Sequence, residues 1–111
     1  MQVADVIESL IGFSEGRAVI FTGDFNLRES DPEDLPELQR LTAEGGLTDV
    51  CESLDCDEPD HIDRVFIRSS PTVLLSAEDW ANKSADFLDN DEIPLSDHPP
   101  IFGQVGFEVL D

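Results

Sequence analysis

Asp24 and Asn26 stand two residues apart, just after the apolar run Ala18-Val19-Ile20-Phe21-Thr22 and Gly23. In an extended turn their side chains project to one side while Phe25 turns inward. A carboxylate in that position can orient or deprotonate an attacking water, and the neighbouring amide can donate to a phosphate oxygen or ligate a metal without adding charge. A plain strand-ending turn competes with this reading, because Gly-Asp-x-Asn is also turn chemistry. A second pair, Asp97-His98, follows Ser96 and precedes Pro99-Pro100, which restrict the backbone beside it. His98 can bind a phosphoryl oxygen or act as acid or base once its tautomer is fixed, with a capped loop as the alternative. Asp63, a charge inside the apolar run from Ile62 to Ile67, is the candidate to fix it by accepting a hydrogen bond from the imidazole. A local salt bridge from Asp63 to Arg64 or Arg68 is the competing role, and His61 reads as a loop residue.

The elements that must position these groups follow from periodicity. Val3, Val6, Ile7, Leu10 and Ile11 recur at helical spacing and predict an amphipathic helix ending near Gly12. The run Ala18 to Thr22 suits a short buried strand that delivers Asp24 to its C-terminal end. After an acidic, proline-bearing loop, Leu35, Leu38, Leu41 and Ala43 predict a second helix, stopped by Gly45-Gly46. Strands are expected around Thr48 to Val50, over Ile62 to Ile67, over Thr72 to Leu75 and over Ile101 to Val109, with Ala77 to Asp91 as a long polar excursion. Helices early and strands late favour an α+β layer arrangement, one sheet covered by helices with a second face that something else must cover.

Size and charge bound the rest. The 111 residues suffice for one compact domain and not for two. With 40% hydrophobic and 29% charged residues, wholesale disorder is excluded. The net charge of -20, from 26 acidic residues against 6 Lys plus Arg, disfavours non-specific binding to nucleic-acid phosphates. Solubility, or adaptation to a salt-rich cytoplasm, is the simplest cause of that acidity. Cys51 and Cys56 have no second cysteine pair nearby to complete a zinc site, so free thiols in a reducing compartment are expected. No apolar run is long enough to span a membrane and no export signal is visible, which points to a cytoplasmic location.

Taken together, three segments resemble the endonuclease/exonuclease/phosphatase superfamily, the DNase I-like fold. Gly23-Asp24-Phe25-Asn26 is similar to its Gly-Asp-Phe-Asn motif. His61-Ile62-Asp63-Arg64-Val65-Phe66 is similar to its Ile-Asp-Tyr strand, with Arg64 where Tyr is common, and Pro94-Leu95-Ser96-Asp97-His98-Pro99-Pro100-Ile101 to its terminal Ser-Asp-His-x-Pro segment. The resemblance implies an α+β fold: half of a DNase I-like four-layer α/β sandwich, with one mainly antiparallel sheet covered by two helices. It implies a metal-dependent phosphoester hydrolase in which Asp24 positions the water, Asn26 contacts the phosphate or a metal, and Asp63 orients His98. Asp97, with Asp24 and Asn26, would lie at a divalent ion, Mg²⁺ or Mn²⁺. The substrate would be a phosphoester, with small molecules or lipids favoured over nucleic acid by the charge. The family's N-terminal half, with its Asn and its principal Glu ligand, has no counterpart here. Residues 1–111 therefore read as a single domain resembling the C-terminal half, either completed by that missing half or acting as an inactive, self-associating or metal- and phosphate-binding module.

Overall fold

The computed structural model describes residues 3–58, 61–94 and 100–110. Along the chain run α1 (Val3–Ser14), β1 (Val19–Asp24), α2 (Leu35–Ala43), β2 (Thr48–Asp49), α3 (Val50–Ser53), β3 (Asp63–Arg68), β4 (Val73–Asn82), a 3₁₀ turn at Ser84–Asp86, and β5 (Ile101–Val109). The architecture is the α+β arrangement with antiparallel pairing that the sequence implies. Its strands divide into two ladders, a three-stranded sheet ordered β1-β3-β2 and a two-stranded sheet of β4 with β5.

The core forms where the helices lie on the three-stranded sheet. Val3 and Ile7 of α1, Leu38 and Leu41 of α2, and Leu47, Phe25 and Phe66 are buried in one cluster, each large side chain contributing roughly 1.5–3 kcal/mol by leaving water. Alternation along β3 directs Arg64, Phe66 and Arg68 to this side and Asp63, Val65 and Ile67 to the other. Arg68 accordingly reaches α1 and the end of α2, donating to Ser14 Oγ and, at 3.1 Å, to the Gly45 carbonyl. Across the other face, β5 crosses β3 so closely that a Cβ on Gly103 would lie 3.2 Å from Val65 Cγ2.

Three local expectations are corrected. α1 continues through Gly12 to Ser14 and stops where Gly16 takes φ 73°, since an isolated glycine costs a helix only about 1 kcal/mol. The stretch after Ala77 is not an excursion at first: β4 runs on to Asn82, with a register shift between Ala77 and Asp79 that lets its polar residues pair with β5. A third, one-turn helix, α3, follows β2 directly, because the Asp49 side chain caps it by accepting from the backbone N–H groups of Cys51 and Glu52. No helix among the described residues is long and apolar enough to cross a membrane.

Candidate active site

β1 and β3 pair antiparallel from Val19 opposite Arg68 to Asp24 opposite Asp63. Directly opposed residues share a sheet face and lie about 4.5–5.5 Å apart at Cα, so Asp24 and Asp63 present two carboxylates side by side at the open end of the ladder.

The turn after β1 is built to hold this end in shape. Asp24 Oδ1 accepts the backbone N–H of Asn26 at 2.8 Å, and Asn26 adopts φ 50°, a left-handed conformation that Asn tolerates better than most residues. Phe25 does turn inward: it is 2% exposed, with its ring centroid 5.2 Å from Phe21 and 5.1 Å from Phe66. Its backbone N–H donates to the Ile62 carbonyl at 2.8 Å, extending the β1–β3 connection past the last ladder pair. The turn chemistry given as the alternative is therefore present, with the Asp24 side chain closing the turn on the Asn26 backbone. Of the five expected site residues, Asp24, Asn26 and Asp63 are brought together, while Asp97 and His98 lie outside the described residues.

Arg64, beside Asp63, points the other way and explains why a charge is tolerated inside that strand. It is 2% exposed. Its Nη1 donates to Asp49 Oδ2 at 2.8 Å and its Nη2 to the Leu27 carbonyl at 3.1 Å, with Glu29 Oε1 3.6 Å away. Arg64 therefore ties the loop that follows Asn26 to the cap of α3. His61 completes the cluster. Its Nδ1 donates to the Glu58 carbonyl, its Nε2 lies 3.5 Å from Asp49 Oδ2, and its ring meets Trp80 edge-on at 5.3 Å. The His61 side chain is 5% exposed, so the loop residue expected from sequence is a buried, partnered one.

The electrostatics of this cluster reflect burial set against pairing. Burial alone would raise the Asp49 carboxyl, but hydrogen bonds from His61 and Arg64 and their charges outweigh it and hold it below its ordinary range. For His61, burial pushes downward, yet the Asp49 carboxylate and the Glu58 carbonyl prevail and raise it. Glu52 is pushed up to about 7 by its hydrogen bond with Glu29, by burial and by the charges of Glu29 and Asp49.

Sequence reasoning passes over Asp49, although Asp49 followed three residues later by Glu52 is a helix-start pattern. Its ion pair with Arg64, 15 residues away, leaves no local signal. The free thiols expected of Cys51 and Cys56 are also corrected, because the two sulfurs are joined as a disulfide. The short helix and the two residues after it with positive φ, Asp55 and Asp57, fold the chain back on itself and bring the pair together.

No known family profile matches the chain. Sphingomyelinases of Mycobacterium bovis and of two Mycobacterium tuberculosis strains are each 37% identical to it over 123 residues, covering 98% of this chain and 24% of the relative. Among solved structures, humanized D. rerio TDP2 bearing 14 mutations superposes with a TM-score of 0.71 at 29% identity, over 95% of this chain and 43% of that one. The chain thus spans about a quarter of the length of the curated relatives it matches.

Proposed function

Because this chain is related to the endonuclease/exonuclease/phosphatase superfamily, with its DNase I-like fold, over part of that fold, we propose that it supplies one half of a phosphodiester-hydrolysing site acting on a lipid-type substrate. The observation that carries this reading is the β1–β3 register, which sets Asp24 against Asp63 with Asn26 two residues on. In this reading Asp24 orients a water for in-line attack on phosphorus and takes its proton. Asn26 donates its amide to a phosphate oxygen, and Asp63 holds the His98 imidazole so that it donates to a second one.

Asp24, Asn26 and Asp97 offer carboxylate and amide oxygens, a hard donor set that suits Mg²⁺ or Mn²⁺. These three would hold the ion together with ligands from the part of the fold that this chain does not cover. When bound, it would neutralise charge developing on the phosphate. The relatives' name, sphingomyelinase, supports a lipid phosphodiester. So does the net charge of -20, which repels a polyanionic nucleic acid.

The test uses this chain, alone and combined with the remaining part of a sphingomyelinase relative, assayed with Mg²⁺ or Mn²⁺ on sphingomyelin vesicles and on duplex DNA. Asp24→Ala, Asp63→Asn and His98→Ala should each lower turnover by roughly 10²–10⁴-fold with an unchanged circular dichroism spectrum, and chelation should abolish activity. Near-normal rates in a folded Asp24→Ala protein would refute the assignment. Faster cleavage of DNA than of lipid would refute the substrate class.

A second reading has one observation in its favour: Ile20, on the same face of β1 as Asp24, is 58% exposed, as expected of a half-sandwich that buries its open face against another copy of itself. A dimeric mass of this chain with no hydrolysis would favour that module over the enzyme.

A further inference from the structure

Cys51 Sγ, Cys56 Sγ and a ring nitrogen of His61 all lie within 4.8 Å of one another. These three residues include none of the groups assigned to phosphodiester chemistry, so a role for them stands independently of that reading. A disulfide alone needs no imidazole, and yet one converges on it. Around a tetrahedral Zn²⁺, thiolate and imidazole donors sit about 3.3–3.8 Å apart, given bonds of roughly 2.3 Å to sulfur and 2.0 Å to nitrogen. The upper bound of 4.8 Å on the three donor separations is of the same scale.

Two further features fit a cation. His61 is backed by Asp49, 3.5 Å from its Nε2, the carboxylate–histidine arrangement that fixes the ring of a metal-binding imidazole, and Nδ1, which donates to the Glu58 carbonyl in the oxidised form, would release that bond and its proton to ligate the cation. The cluster also opens on a cavity of about 310 Å³ whose remaining wall includes Glu52, Asp55, Asp57 and Glu58, so a carboxylate or water is at hand for the fourth position.

We propose that the reduced chain binds Zn²⁺, or a cation of similar softness, through Cys51, Cys56 and His61, and that the disulfide seen here is the metal-free, oxidised form of the same site. The interconversion balances. A dithiol reductant delivers two electrons and two protons to the Cys51–Cys56 bond and becomes a disulfide itself. The cation then displaces the two thiol protons as it binds.

Co²⁺ serves as the spectroscopic probe, titrated into the 111-residue chain under nitrogen before and after reduction by a phosphine. One Co²⁺ per reduced chain should bind, with thiolate-to-cobalt charge-transfer absorption in the near ultraviolet and intense tetrahedral bands in the visible, and Zn²⁺ should bleach both. The oxidised chain should show neither, a comparison that requires no mutation. Cys56→Ser should eliminate the charge-transfer band, and His61→Gln should weaken binding by at least ~10-fold. Absence of a charge-transfer band in the reduced wild-type chain would overturn the proposal. An unchanged titration in His61→Gln would do the same for the role of the imidazole.

Discussion

Arg64→Met, which removes a buried cation and leaves a similar volume of side chain, tests how β3 tolerates a buried charge at its second residue. In the wild-type protein the Asp49 carboxylate is 2% exposed at its side chain and receives Arg64 Nη1 at 2.8 Å. Removing one partner of a buried pair typically costs about 3–5 kcal/mol, because the other charge is left uncompensated. His61 stands 3.5 Å from the same oxygen and can protonate to replace part of the lost attraction, so the expected loss lies at the lower end, about 3 kcal/mol. Asp49→Asn keeps an acceptor for the N–H groups of Cys51 and Glu52 but removes the charge. The double substitution should therefore recover part of the loss, giving a coupling energy of roughly 1–3 kcal/mol. Urea unfolding of the four proteins at neutral pH, followed by circular dichroism, measures the cycle. If Arg64→Met alone costs less than about 1 kcal/mol, or if the two substitutions add without coupling, the buried pair does not hold this end of the sheet.

The remaining expectations rest on single positions. Phe25→Ala should cost about 3–5 kcal/mol in the same unfolding assay, since the ring is 2% exposed between Phe21 and Phe66; a surface-like loss under about 0.5 kcal/mol would contradict the inward turn. Gly45→Ala should destabilise by roughly 1–3 kcal/mol, because its Cβ would stand 2.6 Å from the backbone oxygen of Leu41, and an unchanged midpoint would show that the end of α2 can yield. Glu52, raised from 4.5 to about 7, takes up a proton on folding between those values. The stability linked to it is complete below pH 4.5 and is lost as pH rises through about 7. Glu52→Gln should flatten that fall and stabilise the chain at mildly alkaline pH, by less than about 1 kcal/mol because Glu52 is exposed to solvent screening; an undiminished pH slope would show that the Glu29–Glu52 pair is not its source. Asp49 and His61 act with opposite signs. The lowered carboxyl contributes stability above its unfolded pKa that is lost in acid, and the raised imidazole contributes stability below its own that is lost as pH rises through its folded value. Asp49→Asn should therefore reduce both the acid and the near-neutral dependence of the unfolding midpoint, and a profile unchanged by it would sink the pairing.

What the sequence determined by itself is local. Apolar spacing placed α1, α2, β1 and β3, and the Gly-Asp-Phe-Asn run showed Asp24 at a strand end followed by an aromatic turned inward, because alternation in an extended chain fixes which side chains share a side. Only the tertiary structure decided that Asp24 faces Asp63, since strand register depends on pairing between segments some forty residues apart. The same holds for Arg64, whose charge looked like an anomaly beside Asp63 until Asp49, carried in by β2 and the cap of α3, was seen to receive it. Cys51, Cys56 and His61 read as two idle thiols and a loop histidine for a related reason: the three donors converge only because α3 and the positive-φ residues Asp55 and Asp57 fold the chain back, with His61 set against Trp80 of β4.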